Sequence, residues 1–260
     1  MRVSASYNFF NGDEHLVSSL RSLRPCVEHI SVVWQATSNA GEPITAYARQ
    51  ALQAAIDGNL IDDVILFEPD LSKERNANEL HKRSIGLDLA RQRGATHFLS
   101  MDADEFYRPA EFMVARELIK TFGWTSTSVQ TFLHLKRPVW RSPDVTCCCF
   151  LTAITPETRI GVLDFPHPHI DPTRKMTSDP DGHHHFEPSI VAMYHMNLVR
   201  RDLMQKLRNS TTTDMYFLSE VAAAVERWQP GEDFYFPNKG KLNVTRVANE
   251  FDTFDDPSSA

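Results

Sequence analysis

Thr96 to Tyr107, THFLSMDADEFY, decides the fold. Its first half reads as a buried strand, because His97, Phe98, Leu99 and Met101 make an apolar run of strand length. Its second half is carboxylate. Asp102 and Asp104 are two residues apart, so a strand continuing through them sends both side chains from one face, about 6 to 7 Å apart along the backbone, with Glu105 opposite. Acidic groups crowded at the carboxyl end of a buried strand repel one another, and a hard divalent cation with oxygen ligands relieves that. The competing reading is a solvated acidic turn capping the helix that Pro109 starts.

Upstream of this stretch the chain alternates. Arg2 to Phe10 reads as a strand, and Asn11 and Glu14 have capping-box spacing before a helix with Leu16, Val17, Leu20 and Leu23 on one face, ended by Pro25. His29 to Gln35 is a β-branched strand, and a helix from Pro43 carries Ile44, Ala48, Ala51 and Ala55 as far as Gly58. Asp63 to Phe67 is a third strand, and Glu79 to Arg93 a helix closed by Gly94. Residues 1–107 therefore run β-α-β-α-β-α-β, which specifies a mostly parallel sheet with helices on both faces. Ligands in such sheets bind beyond the carboxyl ends of the strands, where the loops 9–13, 35–39, 68–73 and 102–105 gather. NFFNGDEH after the first strand fits neither GxGxxG nor GxxxxGK[ST], so phosphates must be held by a metal or by basic side chains.

Downstream, Phe112, Ala115, Leu118, Ile119 and Phe122 pattern a helix ended by Gly123, and the alternation then stops. Ser126 to Leu135 and Val145 to Thr152 read as strands around a basic loop, Lys136 to Asp144, whose Trp140 is expected to be packed. Ile160 to Pro188 is a long Pro, Asp and His-rich loop, Ser189 to Met196 a strand, and Arg200, Arg201, Lys206 and Arg208 belong to a basic helical stretch. Asp214 to Trp228 gives a last amphipathic helix. The expected organisation is a single domain over 1–250, divided at 107, with 251–260 a flexible acidic tail.

With 260 residues, 42% hydrophobic and 23% charged, the chain has the composition of an ordinary globular protein. A net charge of −7 gives no help to phosphate-backbone binding. No apolar run approaches the roughly 20 residues of a membrane span, and MRVSASYNFF has no signal-peptide core, so a cytoplasmic location is expected. The four cysteines, three of them consecutive at 147 to 149, fit neither a disulfide framework nor a two-residue-gap zinc pattern and read as buried strand residues.

An α/β half ending in DxD, followed by mixed strands and a late histidine before a basic helix, resembles the GT-A glycosyltransferases, family 2 in particular. The residues that carry the resemblance are YNFFNGDEHLVSSLRSL at 7–23, KRSIGLDLARQRGATHFLSMDADEFY at 82–107 and YHMNLVRRDLMQKLRNS at 194–210. It implies a GT-A (Rossmann-like) sheet with a mixed-strand and helical second half. It also implies transfer of a sugar from a nucleotide diphosphate donor to a hydroxyl acceptor, which could be a glycan, a lipid-linked sugar, a protein or a nucleic acid. Mn²⁺ or Mg²⁺ is then held by Asp102, Asp104 and His195. Tyr7, Asn8, Phe9, Gln35, Ser38 and Asn39 become candidates for base and ribose contacts, and Lys82, Arg83, Arg201 and Lys206 for the diphosphate beside Asp102. The usual ED pair of bacterial family 2 enzymes followed by a QxxRW-type segment is not visible, since Glu232-Asp233 has no such segment after it. Asp164, Asp171, Asp181 and Glu187 stand as unranked candidates for a catalytic base, and inversion versus retention stays open.

Rival readings remain. His167, His169, His183, His184 and His185 could serve a metal-dependent hydrolase together with Asp102 and Asp104. A non-catalytic nucleotide or sugar-binding module, or a pyrophosphorylase without its usual glycine-rich loop, would share the fold.

Overall fold

The computed structural model describes residues 1–167 and 170–254. In chain order the first half comprises β1 (Val3–Phe9), α1 (Leu16–Leu23), β2 (His29–Trp34), α2 (Ala46–Asp57), β3 (Asp63–Leu66), α3 (Arg75–Gln92), β4 (His97–Asp102), β5 (Glu105–Phe106) and α4 (Pro109–Phe122). There follow β6 (Ser126–Leu135), β7 (Arg137–Ala153), β8 (His183–Phe186), β9 (Met193–Leu198), α5 (Leu203–Arg208), α6 (Met215–Arg227), β10 (Phe234–Phe236), β11 (Gly240–Leu242) and β12 (Thr245–Arg246).

The alternating half forms the parallel sheet expected of it, with β2 and β4 flanking β1 and β3 outside β2. Side-chain alternation in VSASYNF sorts its two faces. Val3, Ala5, Tyr7 and Phe9 join Leu16, Leu20, Ala48, Leu52, Phe112 and Ile119 in the main core, so α1, α2 and α4 cover that face. Ser4, Ser6 and Asn8 point the other way, toward α3, where Leu87 and Ala90 pack on Phe98. Gly86 permits the close approach: a Cβ added there would stand 2.1 Å from the Ser6 Oγ. α3 starts at Arg75, a turn before the expected start, and α1 begins after His15 without a side-chain cap, so the Asn11/Glu14 capping box does not form. The second helix starts at Ala46, capped by Thr45, leaving Pro43 and Ile44 in the approach to it.

The sheet then turns mixed, in the order β3-β2-β1-β4-β7-β6-β9-β5, with β8 added to β6 and β12 to β7. The expected basic loop at 136–144 is a correction: those residues form the hairpin of β6 with the 17-residue β7, turning at Lys136, whose φ is 58°. Trp140 packs edge-on against Trp228, 5.6 Å between centroids, within a second core built on α6. The strand expected at 189–196 lies at 193–198 and runs parallel to β6. Cys148 and Cys149 are buried on β7, as read, and Cys147 is half-buried.

Part of the expected tail belongs to the body of the fold. Phe251 packs 4.7 Å from Phe106, and Thr253 Oγ1 lies 2.7 Å from the buried His15 Nδ1. Residues 255–260 lie outside the described residues.

Candidate active site

β4 ends at Asp102, and a turn over Ala103 and Asp104 separates it from β5. The strand therefore does not persist, and the two carboxylates of the DxD do not leave one face. Each meets its own set of cations. Asp102 Oδ1 lies 3.1 Å from Arg83 Nη2 and Asp102 Oδ2 lies 2.5 Å from Arg174 Nη2. Asp104 accepts from Arg200, lies 3.5 Å from Lys206 Nζ and stands 3.6 Å from His195 Nε2. Burial works against ionisation of both, yet Arg174 and Arg83 hold the Asp102 carboxyl below the usual range, and Lys206 and Arg200 hold Asp104 well below it.

Glu105 does not stand apart on an opposite face. It accepts from the Asp102 main-chain N–H at 2.9 Å and shares Arg174 with Asp102. Burial raises its carboxyl above the usual range even with Arg174 in contact. Through β5 it also pairs in register with His195 on β9.

Asp102 and Asp104, with Arg83, His195, Arg200 and Lys206, line a polar cleft of about 300 Å³ over the carboxyl ends of β1, β2 and β4, where a doubly wound sheet places its ligand. Asn8, Gln35, Ser38 and Asn39 lie on its wall, and so do Lys82 and Arg83 from α3. All but Ser38 join one network through Glu79, which accepts from Asn8 Nδ2 at 2.7 Å and pairs with Lys82 and Arg83, while Gln35 Nε2 donates to Asn39 Oδ1 at 2.8 Å and the buried Lys82 donates to Gln35. The acidic Glu79, Asp102, Asp104 and Asp171 are matched on the same wall by Lys82, Arg83, Arg200 and Lys206. The Nε atoms of Arg83 and Arg200 are buried and have no hydrogen-bond partner among the described residues.

Several expected residues fall elsewhere. Tyr7 and Phe9 occupy the core face of β1, with the Tyr7 hydroxyl 3.0 Å from Ser19 Oγ, so neither reaches the cleft, which Phe10 and Asn11 line instead. Arg200 and Arg201 precede α5 rather than belonging to a helix: Arg201 pairs with Asp13 at 2.6 Å beside a neighbouring depression, and its neighbour Arg200 faces Asp104. Asp164 and Glu187 are exposed and line neither the main cleft nor a second one of about 250 Å³ beside it. Asp171 lines both clefts, as do Asp102, His195 and Asn197. The second cleft also carries Glu105, Asp144, Arg174 and Lys239.

Glu79, Arg174 and Asn197 were not singled out by sequence. For Glu79 the signal existed, since it precedes Lys82 and Arg83 at helical spacing and reaches Arg83 at 2.9 Å. Arg174 sits in the irregular segment after β7, where no periodicity announces which side chain turns inward.

Of the histidine-rich stretch, His169 lies outside the described residues. His184 stacks on Trp124 at 3.7 Å, and His183 lies between Ser126 and Ser128. His195 is the histidine of the main cleft among the described residues, so His167, His183, His184 and His185 do not join Asp102 and Asp104 in one constellation.

The donor set suits a divalent cation in part. Asp104 Oδ1 and His195 Nε2, 3.6 Å apart, are near the separation of two ligands of one cation, since bonds of about 2.0 to 2.2 Å place neighbouring donors about 3 to 3.5 Å apart. Asp102, turned to Arg83 and Arg174, is not gathered with them: among the described residues no ligand atom of Asp102 lies within 4.8 Å of both.

No protein-family model matches the chain, and a search of curated proteins finds no match. Among solved structures it is similar to residues 1–349 of S. aureus TarS in complex with UDP, at 15% identity over 53% of this chain and 37% of that one, with a TM-score of 0.39. The same fragment in complex with UDP-GlcNAc aligns at 14% identity over 53% and 36%, TM-score 0.35, and a longer S. aureus TarS chain at 16% over 56% and 25%, TM-score 0.36. The chain spans a quarter to little more than a third of the length of these proteins. No helix among the described residues is long and apolar enough to cross a membrane.

Proposed function

We propose that the chain is a glycosyltransferase of the GT-A kind that takes a sugar from a nucleotide diphosphate donor, with 1–107 as its donor half and 108–250 as its acceptor half. One observation carries this reading: a polar cleft at the carboxyl ends of the parallel strands sets the Asp102/Asp104 pair against the buried side chains of Lys82, Arg83 and Arg200. Asn8, Gln35, Ser38 and Asn39 present the hydrogen-bonding groups a base and ribose need. Lys82, Arg83, Arg200 and Lys206 supply the positive charge a diphosphate needs, and the orphan Nε donors of Arg83 and Arg200 are the kind an anion satisfies.

Asp104 and His195 are the residues to hold a divalent cation, and the imidazole beside the carboxylate favours manganese over magnesium, which takes oxygen ligands. Such an ion, when bound, supplies Lewis-acid stabilisation of the departing diphosphate. Asp102 in this reading fixes Arg83 and Arg174 at the cleft. Asp171, on the lip shared by the two clefts, is the base of choice among the carboxylates considered from sequence. It takes the proton of the acceptor hydroxyl as that oxygen bonds the anomeric carbon and the bond to the diphosphate breaks. The second cleft is then the acceptor's place, and its mixture of Asp144, Lys239, Thr131 and Asn197 suits a hydroxyl-rich acceptor.

The test is thermal stabilisation by UDP, GDP, CMP and TDP with and without Mn²⁺, followed by hydrolysis and transfer assays on the sugars of the best nucleotide. Stabilisation that needs both nucleotide and metal, and is lost in Asp104→Ala, supports the reading. Indifference to every nucleotide, or metal-dependent stabilisation that survives Asp104→Ala, overturns it.

A further inference from the structure

Cys147 on β7, His167 in the segment after it and His185 on β8 are distant in sequence, yet their potential ligand atoms all lie within 4.8 Å of one another. Cys147 Sγ stands 3.7 Å from His167 Nε2, and the two imidazole rings stack at 4.4 Å. For a tetrahedral ion with bonds of about 2.3 Å to sulfur and about 2.0 to 2.1 Å to nitrogen, the sulfur-to-nitrogen separation is about 3.5 Å. The apo spacing is thus within a few tenths of an ångström of that of a coordinated pair.

We propose that Cys147, His167 and His185 form a zinc site separate from the main cleft, with three protein ligands and the fourth position left to water. Sulfur and imidazole donors without a carboxylate select a borderline metal such as zinc over magnesium or calcium. The surroundings prepare the ligands. Ser128 Oγ lies 2.9 Å from His185 Nδ1, which fixes the ring and leaves Nε2 as the ligand nitrogen. The same hydroxyl lies 3.0 Å from His183 Nε2, placing a second imidazole behind the first. Burial, then the neighbouring His167, lowers the pKa of His185, so the ring is neutral and able to ligate. Burial and Asp144 raise that of the Cys147 thiol. Coordination therefore displaces the thiol proton to solvent as the S–Zn bond forms.

The three ligands bracket the segment between β7 and β8. That segment carries Asp171, on the lip of both clefts, and Arg174, which bridges Asp102 and Glu105. A metal tying His167, in the middle of that segment, to β7 and β8 holds the segment in place, a positioning role that does not depend on the reaction catalysed.

Cobalt is the spectroscopic probe. Metal-free protein titrated with Co²⁺ should bind one equivalent at this site with a thiolate-to-cobalt charge-transfer band. The band should disappear in Cys147→Ser, survive in Cys26→Ser and in Asp104→Ala, and need at least about tenfold more metal in His185→Gln. Zn²⁺ should bleach it and slow tryptic cleavage at Arg159 and Lys175. In the unsubstituted protein, Zn²⁺ should also block alkylation of Cys147 read by mass spectrometry, which keeps the test open if a variant fails to fold. Binding without a thiolate band, a band that survives Cys147→Ser, or alkylation indifferent to Zn²⁺ overturns the proposal. Loss of the band in Asp104→Ala also overturns it, and these readouts are independent of any nucleotide.

Discussion

Arg174 Nη1 donates to Glu105 Oε2 at 2.9 Å, joining the segment after β7 to the short strand that follows the DxD. Both side chains are buried, 4% and 2% exposed, so neither carboxylates nor guanidinium can exchange the partner for water. Arg174→Met leaves Asp102 and Glu105 facing each other and should cost about 3 to 5 kcal/mol, read as a lowered urea midpoint. Adding Glu105→Gln should recover a measurable share of that loss. Equal midpoints for the single variant and the unsubstituted protein would contradict the bridge.

Gly86 marks where α3 rests on β1. Its Cβ in Gly86→Ala would fall 2.1 Å from Ser6 Oγ and 2.4 Å from Ser6 Cβ, so the helix must move away from the sheet. A loss of about 1 to 3 kcal/mol is expected by denaturant unfolding, with nucleotide binding weakened because Lys82 and Arg83 travel with the helix. The double variant with Ser6→Gly should regain part of the stability.

Asn8 and Tyr7 are neighbours with opposite destinations. Asn8→Ala removes a cleft-lining amide and its bond to Glu79, and should weaken the best nucleotide roughly tenfold with little change in melting temperature. Tyr7→Phe loses only the Ser19 contact in the core and should cost about 1 kcal/mol of stability while leaving nucleotide affinity unchanged. Isothermal titration and thermal melts separate the two outcomes.

Two buried histidines contribute to the acid limit of the fold. Burial, reinforced by the Arg200 charge, pushes the pKa of His15 down to about 3, and burial pushes that of His134 down to about 4. Their unfolded pKa is near 6.5, so below that the unfolded chain binds protons that the folded chain refuses. Stability should be fully present above about pH 6.5 and fall as pH drops toward 4, by a few kcal/mol for each residue. The urea midpoint of His134→Gln should change less over this window than that of the unsubstituted protein.

The parallel half was legible because its strands are largely apolar, α1 and α2 are amphipathic, and most elements are bounded by Gly, Pro or polar turns. α3 began earlier than read because RNAN offers no apolar periodicity, and its first turn is held by Arg75 donating to the carbonyls of Arg208 and Ser210. β7 was read short because Pro138 and Pro143 argue against a strand, whereas the hairpin takes them up with register shifts at 130–135. In the cleft, the loops were placed by topology, but single side chains were not. Alternation in VSASYNF already assigns Tyr7 and Phe9 to the apolar face and Asn8 to the other. Nothing local separates Arg200 from Arg201, and the choice is made by where Val199 anchors the turn: buried, with its carbonyl 2.6 Å from His15 Nε2.

That anchor has a consequence in time. His15 is held by Val199, 184 residues later, and by Thr253, 238 residues later. A ribosome that has emitted the whole parallel half has made a sheet whose first turn still lacks these two partners. Contacts of such separation form slowly. The turn before α1 therefore cannot be completed until Val199 and Thr253 are in place.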